Sequence, residues 1–178
     1  MTRISSWRKA AACLHSNGDA DRARQLYQRV LDLDPQNAAA ALYSMGGLAR
    51  EGGSLDEAVI LALQSLEFEP TAEKCIFLGD VLDQKGSHKA ALGYYRKAMQ
   101  MEPCGETALE ALAQALDRHQ EYEESSGVWA RRLRRENRAS PRQFQLRIRL
   151  ADALRLAGHL SQAGQVLNQA RNMTSGLS

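Results

Sequence analysis

A small residue recurs along this chain at nearly constant spacing. Ala11, Gly46, Gly79, Ala113 and Ala151 are separated by steps of 35, 33, 34 and 38 residues. Regular spacing of this kind marks a repeat array, in which each unit is one supersecondary element stacked on its neighbours. The clearest copy runs from Leu78 to Pro103. Leu78/Leu82 and Ala91/Tyr95 sit at i and i+4, on one face of a helix. Gly86 lies between them, where a tight turn favours a residue without a Cβ. Pro103 stands where a helix must stop. The unit therefore reads as helix, turn, helix, stop.

The neighbours repeat that order. The first copy has Trp7, Ala11 and Leu14, a turn at Gly18, then Ala23, Tyr27 and Val30, with Pro35 closing. The second has Leu42, Gly46 and Ala49, a Gly52-Gly53 turn, then Ala58, Ala62 and Ser65, with Pro70 closing. Ser54-Leu55-Asp56-Glu57 there has the spacing of a capping box. The fourth has Leu109, Leu112, Ala113 and Leu116, then Ser125 and Trp129, with Asn137 where a proline is expected. The fifth has Leu150, Ala151, Leu154, Gly158, Ala163, Leu167 and Ala170. On this pattern and period the chain resembles the tetratricopeptide repeat family over nearly its whole length. The resemblance implies an all-α fold, a right-handed α-solenoid superhelix of stacked helix-turn-helix repeats. It would form a single domain over 1–178, with repeats at about 4–36, 39–70, 72–103, 106–137 and 144–174. Trp7, Tyr27, Tyr95 and Trp129 are expected in the core, filling the gap between repeats.

Two departures stand out. The step into the fifth unit, 38 residues, is four residues too long for the family, with the excess near Arg138-Ala139-Ser140-Pro141, so either the second helix of unit four is extended or a loop interrupts the stack. No polar capping helix follows the fifth unit, so Leu160, Val166 and Leu167 are expected to be partly exposed, inviting a partner or self-association.

Composition narrows the function classes. Net charge is +2, which by itself argues neither for nucleic acid nor for an anionic membrane. No apolar run approaches the roughly 20 residues of a membrane span. The start, MTRISSWRKAAAC, lacks the apolar core of a signal peptide, and Arg8-Lys9 before Ala10-Ala11-Ala12-Cys13 argues against a lipoprotein box. A cytoplasmic location is the default expectation. The three cysteines, Cys13, Cys75 and Cys104, are odd in number and far apart, so no disulfide or zinc framework is expected. Cys13 and Cys75 fall on core faces. Asn172-Met173-Thr174 matches a glycosylation sequon that has no secretory context.

Nothing supports catalysis. No phosphate loop follows a strand, and no Ser/His/Asp or Cys/His set is assembled. Four histidines, His15, His88, His119 and His159, stand in different repeats, the last three at turns, and read as solvated rather than as ligands of one ion. No cofactor, metal site or enzyme activity is expected. The run Arg131-Arg132-Leu133-Arg134-Arg135, with Arg138 and Arg142, is the strongest charge feature. It reads as a solvated helix face, with Glu121, Glu123 and Glu124 at the helix start and arginines at its end as the dipole favours.

The resemblance also implies a concave surface lined by the first helix of each repeat. Carried over position by position, it assigns Arg8 in unit one, Tyr43 and Arg50 in unit two, Glu73, Ile76, Asp80 and Asp83 in unit three, Glu110 and Asp117 in unit four and Arg155 in unit five. The middle of this groove is acidic, which suits a peptide or helix carrying basic residues. Some family members clamp a C-terminal carboxylate with Lys, Asn, Asn, Lys and Arg. The matching positions here are Arg8, Ala12, Ser44, Glu73 and Phe77, and Glu73 would repel a carboxylate, so that clamp is rejected. The expected function is a non-catalytic scaffold, adaptor or chaperone that binds another protein. The alternatives are a regulatory or targeting part of a larger enzyme or assembly, or a nucleic-acid contact through the arginine-rich fourth repeat.

Overall fold

The computed structural model describes residues 3–33, 38–101, 105–136 and 141–175. They form ten helices and no strand. In order these are α1 (Arg3–Ser16), α2 (Ala20–Leu33), α3 (Ala38–Glu51), α4 (Leu55–Phe68), α5 (Ala72–Gln84), α6 (His88–Gln100), α7 (Gly105–Arg118), α8 (Tyr122–Arg135), α9 (Pro141–Leu156) and α10 (Leu160–Ser175). Consecutive helices pair as the five repeats require. The chain divides into two compact units, Met1–Tyr94 and Tyr95–Ser178, and α6 runs through the division. In unit 1, α1 packs on α2, α2 on α3, α3 on α4 and α4 on α5. In unit 2 the same succession runs from α7 to α10.

The spaced small residues are where the helices meet. Ala11, Ala113 and Ala151 are almost fully buried, as are Gly46 and Gly79. At Gly46 the approach is tight: an added Cβ would lie 3.1 Å from the Phe77 ring, which would have to give by a few tenths of an ångström. Tyr27, Tyr95 and Trp129 are core residues as expected. Trp7 is only half-buried, because no helix among the described residues packs on the outer side of α1. The same helix leaves Cys13 exposed, contrary to the core position expected for it, while Cys75 is buried.

All five turns share one backbone device. Asp19, Ser54, Ser87, Glu121 and His159 each donate their N–H to the carbonyl five residues earlier, at 2.8–2.9 Å. This closes the first helix through a left-handed residue, the Schellman arrangement. Gly18, Gly53, Gly86 and Gly158 take that conformation, with φ between 80° and 89°. In the fourth repeat Gln120 takes it, at φ 61°, so the turn forms there without the residue that adopts it free of strain.

The caps are less regular. Asp19 accepts from the Arg22 N–H at 3.3 Å, and Thr71 from the Lys74 N–H at 3.3 Å. Ser54 makes no side-chain cap, so the capping box expected there does not form. Its ψ of 67° lies outside the extended region that aims a cap side chain, and Glu57 is drawn away by Arg24 of the preceding repeat at 2.5 Å.

The long step into the fifth repeat does not come from an extended α8, which has 14 residues like α2 and α4. Instead α9 has 16 and opens on Pro141, the helix position where a missing N–H does least harm. Pro35, Pro103, Cys104, Asn137 and the stretch 138–140 lie outside the described residues. At the last helix pair Leu160 is 67% exposed and Leu167 45%, as expected for a face with nothing stacked on it.

Candidate functional site

Three of the ten expected groove residues come together in unit 1. Arg8 of α1, Tyr43 of α3 and Glu73 of α5 line one cleft of about 430 Å³. Ala12, Ala40 and Ser44 line it as well. Side chains from three successive first helices thus converge, since Arg8 and Tyr43 stand one 35-residue period apart and Glu73 lies three residues before the next equivalent, Ile76, on the same helix face.

The cleft has an ordered centre. Tyr43 donates its hydroxyl to Glu73 Oε1 at 3.2 Å, and its ring packs on Phe77 with centroids 5.0 Å apart. Arg50 covers the same Phe77 ring, its Cζ 5.1 Å from the centroid, a cation–π contact. Burial, and then the charge of Glu73, push the Tyr43 phenol up to about 12, so it is a neutral donor at any ordinary pH. At the rim, Lys74 is buried and donates to the Glu69 carbonyl at 3.0 Å and to its carboxylate at 2.6 Å. That hydrogen bond holds the Glu69 carboxyl below its usual range. Lys74, Glu69 and Thr71, none of them expected at the site, fix the junction from α4 to α5 on which Glu73 stands. The cap was readable, since Thr71 follows the closing Pro70 and precedes an apolar helix.

The other expected groove residues are placed differently. Ile76 and Asp80 are half-buried on α5. Asp83 pairs with the first residue of its partner helix, its Oδ1 lying 2.9 Å from His88 Nδ1. Arg155 is exposed on α9, 3.9 Å from Asp152. In unit 2 the two acids are tied to neighbouring side chains, Asp117 within its own repeat and Glu110 to the fourth and fifth repeats. Asp117 receives the Trp129 indole N–H at 2.9 Å and the Ser125 hydroxyl. Glu110 receives Arg132 and Arg142, both at 2.8 Å.

Arg132 corrects the reading of the arginine run as a solvated face. It is fully buried, and its guanidinium pairs with Glu106, Glu110 and Glu136 at 3.2, 2.8 and 3.2 Å. Its outward neighbours Arg131 and Arg134 remain exposed. A desolvated cation needs such partners, since leaving it unpaired in the interior is far more costly than an exposed pair is favourable.

Among the described residues no helix is long and apolar enough to cross a membrane. No curated protein sequence matches the chain. Solved structures match its fold closely. A crystal structure of MamA protein aligns with 97% of this chain and 92% of its own at TM-score 0.77 and 17% identity. A putative kinesin light chain of Podosopora anserina with nearly identical TPR-like repeats aligns with 99% and 97% at 0.75 and 16%. YrrB, described as a TPR protein with an unusual peptide-binding site, aligns with 94% and 84% at 0.70 and 20%. At these identities the likeness is one of fold. Family models of the tetratricopeptide repeat match residues 5–38, 16–73 and 72–103, together more than half the chain. With five helix pairs, five spaced small residues and five equivalent turns, the chain belongs to the tetratricopeptide repeat family.

Proposed function

We propose that the protein is an interaction module that holds a peptide segment or helix of another protein in the unit 1 cleft. The observation that carries this reading is the convergence of Arg8, Tyr43 and Glu73 from three successive repeats on one concavity. Small residues at Ala12 and Ala40 leave room for an incoming side chain, and Tyr43 and Ser44 supply polar contacts. Glu73 spends Oε1 on Tyr43, so its other oxygen is the acceptor offered to a basic residue of the ligand. Arg8 and Lys9 on the opposite wall suit an acidic side chain or a peptide carbonyl. The ligand is therefore an amphoteric peptide with its basic residue against α5, a narrower preference than a generally basic partner. The structural relative described as having a peptide-binding site gives this reading a precedent in the same fold.

Selection of peptides on the full chain, followed by fluorescence anisotropy, tests it. Tyr43→Ala and Glu73→Lys should each weaken the selected peptide by roughly tenfold or more, with helical circular dichroism unchanged. Equal affinity for all three proteins would remove this site.

A further inference from the structure

Two of the outer helices carry opposite marks at the same three places. The period aligns Ile60, Leu63 and Glu67 of α4 with Gly127, Ala130 and Arg134 of α8. In each helix the three stand at i, i+3 and i+7, on one face. On α4 they are two large apolar side chains and an acid. Ile60 is 56% exposed and Leu63 39%, and Phe68 adds a third exposed apolar side chain at the end of the helix. On α8 they are glycine, alanine and a base. α2 and α10 carry only polar residues at these places. The α8 face borders a groove of about 500 Å³. Gly127 and Ala130 form one wall, three glutamines of α10 stand opposite, and Leu150 and Leu154 of α9 lie between them. No charged residue is in this lining. A Cβ built at Gly127 meets nothing within 4 Å, so the wall is open there. Arg134 continues the α8 face beyond Ala130 and is exposed, as is Glu67 on α4. Among the described residues neither has an ion-pair partner within its own chain.

We propose that a second copy of this chain fills the groove. The α4 helix of one copy lies parallel along α8 of the next, with Ile60 over Gly127, Leu63 over Ala130 and Glu67 against Arg134. The groove sets three conditions on its occupant. It must be apolar where Leu150 and Leu154 form the floor, it must bring no charge into a lining that has none to pair with it, and it gains from an acid one turn further on, at Arg134. The stripe on α4 meets all three, and it meets them in the spacing of the α8 face. Large side chains on one helix seat over small ones on the other, which lets the backbones approach. The contact uses different surfaces of the two copies, so it is heterologous, and each pair keeps one free stripe and one free groove for further copies. None of Ile60, Leu63 and Glu67 lines the unit 1 cleft, so association leaves that cleft open. The contact is small beside the roughly 800 Å² per partner of a stable complex, which places association at about tens of micromolar.

Sedimentation velocity on the full chain tests the proposal. The wild-type protein should pass from monomer to larger species as its concentration rises from about 5 to about 500 μM. Ile60→Asp combined with Leu63→Asp removes the stripe, and Gly127→Arg fills the groove. Each of these two chains alone should weaken association by roughly tenfold or more, with helical circular dichroism unchanged. Mixed in equal amounts they should form a one-to-one pair and nothing larger, because one keeps the groove and the other the stripe. Glu67→Arg should also weaken association, and adding Arg134→Glu to the same chain should restore it. A wild-type protein that stays monomeric throughout would overturn the proposal. So would undiminished association of the Gly127→Arg chain, which would mean pairing of stripe with stripe, or a mixture of the two variants that stays monomeric.

Discussion

One position of the first helix serves opposite ends in the two units. In unit 1 it is Arg8 and Tyr43, which face an open cleft. In unit 2 it is Glu110, which is shared by two arginines of the outer and following helices. Two acids at different positions of the inner helix make a similar contrast. Glu73 meets one phenol hydroxyl across the cleft, whereas Asp117 is consumed by Trp129 and Ser125 of its own repeat. An inner-helix side chain is therefore left facing the cleft only where the outer helix makes no claim on it. In the fourth repeat α8 brings Arg132, Ser125 and Trp129 to the inner helix, and the acids become part of the architecture.

That contrast can be broken by substitution, and the effects should fall in order. The largest is Arg132→Ala. It matches the small residue of the other repeats, yet it should cost about 3 kcal/mol in urea unfolding, because three carboxylates lose their shared cation. A neutral result would mean that the repeat pattern, rather than charge, decides this position. Next is Asp117→Ala, which leaves the buried Trp129 indole N–H without its carboxylate acceptor and the Ser125 hydroxyl with only the Ala113 carbonyl at 3.4 Å, and should cost about 2 kcal/mol. Gln120→Gly should stabilise by about 1 kcal/mol by removing the left-handed strain that the other four turns avoid, read as a higher midpoint at unchanged slope. Smallest is Glu73→Ala, within about 0.5 kcal/mol in stability because its contact is exposed, with the loss appearing in peptide affinity instead. The Tyr43 phenol adds a signature of its own. Its folded value near 12 exceeds the unfolded 10, so its contribution is complete below pH 10 and is lost between pH 10 and about 12. Absorbance titration of Tyr43→Phe against wild type should lack one tyrosine that ionises near pH 12.

The repeat architecture was legible because spacing and packing are the same fact. A residue that must be small every 34 positions, a turn that needs positive φ, and an aromatic at the seam all leave marks in sequence. The unit 1 cleft was legible in part, since Arg8, Tyr43 and Glu73 stand at positions that the family resemblance assigns to the concave face. What stayed hidden depends on partners from other helices. Helix position alone does not show the partners of Glu110 and Asp117, which are Arg132 and Arg142 for the first and Trp129 and Ser125 for the second. Arg132 did leave a signal, its alignment with Val30, Ser65, Ala98 and Ala170, but a run of arginines at a helix end also satisfies the dipole and so reads as surface. The missing Ser54 cap has a similar origin, because Arg24 reaches Glu57 from 33 residues away.

The most direct test of the contrast is the footprint of a selected peptide on the full chain by amide exchange and cross-linking. The account predicts protection and cross-links confined to the inner residues of α1, α3 and α5, around Arg8, Tyr43 and Glu73, with α7 and α9 unchanged. A footprint on the inner face of α7 and α9, around Glu110 and Arg155, would contradict it.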